Sequence, residues 1–243
     1  MCDITILIQG PLNKISIDHI KNYNKYGNVV LSYFSEERFS SLKENLFLND
    51  NILEVESFDL ESIPFLPDYR LHQLLTTSRG LDAIKSKYTI KTRSDENWPD
   101  LDLFIDTFLK NDEKILTSNI FWKPNRDYHI SDHLMMFKTD YLKKGLNQYL
   151  DSLYLSQNNT YDGKYIAANS CESHFGRSYL IGKYNTNLKE LPLSTEAFKN
   201  DFECFDINLM KNYHVSYNGG PQKSQNKTYN KNNKNNRYDP KYD

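Results

Sequence analysis

Four short stretches of this 243-residue chain carry side chains able to do chemistry. Arg93-Ser94-Asp95-Glu96 sets one cation beside two adjacent carboxylates at the end of a β-favouring run, Tyr88 to Thr92, and Pro99 then opposes any continuation of the strand. In an open α/β sheet ligands sit at the carboxyl ends of strands, so this group fits a polyanion held through a metal; a solvated strand end is the plain alternative. His129-Ile-Ser-Asp132-His133 leads straight into an apolar run and offers a metal ligand or a base, although its spacing matches no closed zinc site. Glu172, read on the inward face of a helix, is a candidate general base, against the alternative of a solvated helix glutamate. Gln9-Gly10-Pro11 ends a first apolar run: Gly10 lets the backbone approach a ligand closely and Pro11 ends the ladder.

Those stretches need elements to position them. Ile4 to Gln9 is apolar on both faces, as a strand buried between two helix layers should be. Ser16 to Tyr26 has helical spacing and is stopped by Gly27; Val29 to Phe34 is a second strand; Ser35 to Leu48 is helix-compatible; Ile52 to Val55 is a third strand. After a loop holding Pro64 and Pro67, Arg70 to Ile84 reads as a helix, with Arg70 placed where the helix dipole would help it reach a phosphate. The remaining expected elements are a helix over Leu101 to Leu109, strands at Lys114 to Ser118 and Leu134 to Phe137, a helix from Tyr141 capped by Thr139-Asp140, and one long helix from Lys164 to Leu180. Ile207 to Tyr217 holds a last strand or short helix. Alternating strands and helices mark an α/β fold with a mostly parallel central sheet flanked by helices.

One domain is expected over residues 1–217, with an Asn/Lys-rich tail over 218–243 that has too few aliphatic residues to offset its ordering entropy. The formal charge of −2 provides no global field for nucleic acid or a membrane surface. No stretch reaches the roughly 18–20 apolar residues of a transmembrane helix. Cys2, Cys171 and Cys204 are odd in number and widely spaced, which suits free thiols in a reducing compartment, so a soluble cytoplasmic protein is expected.

Three blocks, Ile4 to Pro11, Thr77 to Asp95 and His129 to Asp132 before its apolar strand, resemble the WavE lipopolysaccharide-synthesis family in order and spacing, over roughly Ile4 to Leu180. That family is grouped with glycosyltransferases of the GT-A type, a Rossmann-like single domain. The resemblance implies transfer of a sugar from a nucleotide-sugar donor to a saccharide or glycan acceptor. It places Gln9, Gly10 and Pro11 in the nucleotide pocket, and Arg93-Ser-Asp95 where other members carry Asp-x-Asp. Asp95 would then hold Mn²⁺ or Mg²⁺ against the leaving diphosphate, His133 would be a further ligand, and Arg93 would contact phosphate. His72-Gln73 stands where an Arg-Gln pair is expected, a departure from the family's pattern; Arg70 and His72 are the candidate nucleotide-sugar-binding residues of that helix. Glu172 is the first choice for the base that deprotonates the acceptor, with Asp132 second. Two other readings stay open: a sugar-phosphate nucleotidyltransferase, and a non-catalytic glycan-binding module of the same fold.

Overall fold

The computed structural model describes residues 3–10, 17–34, 52–57, 69–155, 160–210 and 213–215. Pro11, the helix expected over Ser35 to Leu48, the Pro64–Pro67 loop and the tail from residue 218 lie outside them. Strands β1 (Ile4–Gln9), β2 (Asn28–Phe34), β3 (Ile52–Ser57) and β4 (Tyr88–Arg93) join β6 (Ile115–Ser118), β7 (Leu134–Lys138) and β10 (Phe202–Phe205) in a seven-stranded sheet of order β10-β6-β7-β4-β1-β2-β3. β4, β1, β2 and β3 are mutually parallel, as are β10 and β6. The α/β class and the mostly parallel sheet are as expected.

β7 runs antiparallel to both of its neighbours, β4 and β6. Its start therefore lies at the same edge as the ends of β1 and β4, which brings Asp132 and His133 beside Arg93. Helices cover both faces. On one lie α1 (Ile17–Asn24) and α3 (Asp102–Leu109), packing Ile20, Tyr23, Phe104 and Phe108 onto Ile4, Ile6, Ile8 and Ile90. On the other lie α2 (Tyr69–Ala83), α4 (Thr139–Leu153), α5 (Gly163–Ala168), α6 (Cys171–Tyr184) and α7 (Ser194–Asn200), their apolar residues meeting Leu7, Met135 and Phe137. The side-chain period of a strand puts Gln9, Lys91 and Arg93 on this second face.

Four expectations are corrected. Arg93 to Glu96 reads in the sequence as a strand end, yet a separate two-residue strand β5 (Glu96–Asn97) starts there, before Pro99, and pairs antiparallel with β11 (His214–Val215). The helix expected from Tyr141 begins at Thr139, whose hydroxyl bonds Thr89 at 2.9 Å instead of capping. The single helix expected over Lys164 to Leu180 is two, broken at Asn169-Ser170 because the Ser170 hydroxyl caps α6 by accepting from the Ser173 amide. A short antiparallel pair, β8 (Tyr154–Leu155) with β9 (Thr160–Tyr161), forms where no strand was expected. Among the described residues no helix is long and apolar enough to cross a membrane.

α4 and α6 approach backbone to backbone. A Cβ on Gly145 would lie 1.8 Å from the Ser178 carbonyl oxygen, and one on Gly182 would lie 1.7 Å from that of Tyr141. This crossing fixes α6 against the sheet, and with it the Cys171-Glu172 turn at the head of the helix.

Candidate active site

The carboxyl edge is assembled by main-chain bonds before any side chain matters. Gln9 and Arg93 are in register at the ends of β1 and β4, the Ser94 amide donates to Gln9 O at 2.9 Å, and the Gly10 amide donates to Ser32 O at 3.1 Å. Gly10 adopts φ +117°, a left-handed conformation that suits glycine, and a Cβ there would meet Ser94 Oγ at 2.9 Å. Ser118 at the end of β6 bonds Ser131 at 2.8 Å, which ties the segment entering β7 to the same edge.

On this frame the charged side chains interleave. Arg93 forms a two-pronged pair with Asp95, Nε to Oδ1 at 3.0 Å and Nη2 to Oδ2 at 3.1 Å, and lies 3.7 Å from Glu96 and 3.9 Å from Asp132. Glu96 is buried and bonds His133 Nδ1, while His133 Nε2 lies 3.8 Å from Asp132 Oδ1. Phe121, exposed and at φ 54°, covers the His133 ring with centroids 5.3 Å apart. Lys91 is wholly buried, donates to Asp132 O at 2.6 Å and rests over the Phe175 ring at 4.9 Å. Gln9 Oε1 and Glu96 Oε2 are buried with no hydrogen-bond partner.

Electrostatics divide the carboxylates. Burial pushes the Asp132 carboxyl up, but Lys91, His133 and Arg93 together hold it below the usual carboxylate range. The Glu172 carboxyl moves the other way, raised by burial and by the negative charge of Asp132. His133 is raised because Glu96 outweighs the burial that opposes it, so the imidazolium is favoured. Burial lowers Lys91 against the pull of Asp132. His129, joined to Ser170 Oγ at 2.9 Å, is lowered to about 4 by burial and by Lys123 and Arg126. Burial lifts the Cys171 thiol well above its ordinary value, which leaves it an inert packing group.

Of the residues expected from sequence, Gln9, Gly10, Arg93, Asp95, Asp132 and His133 come together at this edge, and Glu172 stands beside them in the first turn of α6. Arg70 and His72 occupy the first turn of α2, half-buried, at the end of the helix nearer the carboxyl edge. Pro11 is outside the described residues. One participant was missed. Lys91 was passed over although it shares a face with Arg93 two residues on, a period that a charged pair in a buried strand displays openly. Glu96, read as one of two strand-end carboxylates, instead holds His133.

The metal role expected of Asp95 and His133 does not fit this donor set. Both Asp95 oxygens face Arg93, His133 Nδ1 is taken by Glu96, and among the described residues no three His, Cys, Asp or Glu side chains converge as a ligand group.

No family model matches the sequence, so membership of the WavE family is not confirmed, and no curated protein matches it either. Solved structures with a similar chain path include the galactosyltransferase LgtC in complex with donor and acceptor sugar analogs, at 10% identity and TM-score 0.49, covering 74% of this chain and 69% of that one. A 4-diphosphocytidyl-2C-methyl-D-erythritol synthase from Anaerococcus prevotii matches at 10% identity and TM-score 0.45, covering 84% and 89%. Mannosyltransferase PcManGT from Pyrobaculum calidifontis, in complex with GDP-Man and Mn²⁺, matches at 12% identity and TM-score 0.41, covering 58% and 46%. These are likenesses of chain path, and no residue's role is taken from them.

Proposed function

We propose that the chain is a glycosyltransferase that moves a sugar from a nucleotide-diphosphate-sugar donor to a saccharide or glycan acceptor. The observation that carries this reading is the convergence of four distant segments, 9–10, 93–96, 132–133 and 171–172, on one sheet edge, where Asp132 lies between a fixed guanidinium and a carboxyl whose proton affinity its charge helps to raise. A diphosphate leaving group needs positive charge, and an acceptor hydroxyl needs a base.

In this reading Gln9 and the backbone of Gly10 back the nucleotide, and Arg93 faces the diphosphate. The acceptor oxygen attacks the anomeric carbon while the bond from that carbon to the diphosphate oxygen breaks, its electron pair leaving with the nucleotide. The acceptor proton passes to Glu172. Asp132 is the poorer base, because its neighbours hold it ionised; Glu172 is better matched to proton transfer near neutral pH. Asp132 serves instead as an anchor for Arg93, Lys91 and His133. Since the donor set does not fit a metal, no step is routed through one.

Incubation with a panel of UDP-, GDP- and CMP-sugars and glycan acceptors, with and without Mn²⁺, should release free nucleotide. Glu172→Gln should lower kcat by about 10²- to 10⁴-fold with donor binding retained. Absence of nucleotide release from every donor would refute the reading, and pyrophosphate release from a nucleoside triphosphate and a sugar phosphate would assign a nucleotidyltransferase instead.

A further inference from the structure

We infer that Arg93, oriented by Asp95, does the electrostatic work of a divalent cation at the donor diphosphate, so that this site binds its donor without a metal. The inference rests on the glycosyltransferase reading and specifies how that site meets the charge of its leaving group.

Asp95, Glu96 and Asp132, the carboxylates around Arg93, each already face a basic side chain. Asp95 is forked onto Arg93 at 3.0 and 3.1 Å, Glu96 is bonded to His133, and Asp132 accepts from Lys91 through its main-chain oxygen while lying 3.8 Å from His133 and 3.9 Å from Arg93. A dication set among these oxygens would lie within a few ångströms of a guanidinium and an imidazolium, and it would have to displace the fork before Asp95 could ligate it. The pairing also gives Arg93 a fixed direction. A guanidinium has five N–H donors; Asp95 takes two, Nη1 lies 3.9 Å from Asp132 Oδ2, and the N–H groups that Asp95 does not take are available to an incoming anion. Arg93 retains 27% side-chain exposure while Glu96 is at 0% and Asp132 at 3%, so a ligand reaches the cation and not the carboxylates behind it. Its position is set by the ladder, with its Cα paired to Gln9 at the end of β1.

The test is calorimetric titration of the full chain with UDP, GDP and CMP, once in EDTA and once with Mn²⁺, together with donor turnover under both conditions. The expected result is nucleotide binding that differs by less than about threefold between the two, and turnover that survives EDTA. Arg93→Met should weaken nucleotide binding about 10- to 100-fold, Arg93→Lys should restore only part because it lacks the fork, and Mn²⁺ should rescue neither. Thermal melts of each variant separate lost binding from lost folding. Binding or turnover that requires Mn²⁺ and disappears in Asp95→Asn would overturn the inference and leave the glycosyltransferase reading standing. If no nucleotide binds under either condition, the reading falls and takes the inference with it.

Discussion

Gly145→Ala tests whether the α4–α6 crossing holds the candidate base in place. Helix propensity alone favours the change: alanine in a helix interior is better than glycine by about 1 kcal/mol. Packing opposes it. The new methyl would sit 1.8 Å from Ser178 O and 2.5 Å from Gly182 N, where an ordinary contact needs about 3.4 Å, so the two backbones must part by roughly 1.5 Å. Overpacking of this kind costs about 1–3 kcal/mol and more where the obstacle is backbone, so the net loss should be about 2 kcal/mol or greater. For a chain of 243 residues that corresponds to a fall in Tm of roughly 4–8 °C, measurable by circular dichroism. Because α6 carries Glu172 in its first turn, kcat should fall beyond what the lost folded fraction explains. Gly182→Ala should act alike, and the double variant should cost less than the sum, since one displacement relieves both clashes. A Tm that is unchanged or higher in Gly145→Ala would refute the argument, for it would mean that propensity wins and the crossing is slack.

Tyr23→Phe should cost about 1–3 kcal/mol in urea unfolding, because the fully buried Tyr23 hydroxyl accepts from the Trp98 amide at 3.0 Å and the variant leaves that donor stranded. Gly10→Ala, which forces a side chain into φ +117° against Ser94 Oγ, should cost about 1–3 kcal/mol and weaken nucleotide binding; equal stability and affinity would show the edge to be pliant. The two histidines of the 129–133 segment should give opposite pH signatures. His129 is depressed to about 4, so its contribution is present above pH 6.5 and is lost as pH falls from 6.5 towards 4, by up to roughly 3 kcal/mol; a His129→Gln melt series should be flatter over that window. His133 is raised, so its pair with Glu96 contributes fully below pH 6.5 and is lost as pH rises through the folded value; the stability gap between the parent and His133→Gln should close with rising pH.

Much of the scaffold was legible because the rules that reveal it are local. Ile4 to Gln9 and Val29 to Phe34 are apolar on both faces, and only a strand between two helix layers asks for that. What stayed hidden was non-local or competed with a stronger local signal. The apolar run Leu134 to Phe137 reads the same in either direction, so nothing in it announces that β7 runs against its neighbours. Helical spacing carries on through Asn169 and Ser170, and the break appears only once the Ser170 hydroxyl caps the next helix. Thr139 looked like a cap, but its hydroxyl is spent on Thr89, fifty residues away in sequence.

Charge was the harder part to read. A lysine or glutamate is expected to face water, and a pattern that assumes so places Lys91 and Glu96 outside. Each is buried because the antiparallel β7 delivers a partner to it: the Asp132 carbonyl for Lys91, and the His133 ring for Glu96. The hidden direction of one strand and the hidden burial of two charges are therefore the same fact. It also explains why the two acidic candidates, Glu172 and Asp132, differ in structure. Asp132 lies inside the cations that β7 and β4 bring together and stays ionised, whereas Glu172 stands on a separate helix, sees chiefly burial and the charge of Asp132, and is pushed up. In the proposed reading, two carboxyl groups driven apart in this way divide the work: the ionised one fixes the cations, and the raised one exchanges the acceptor's proton.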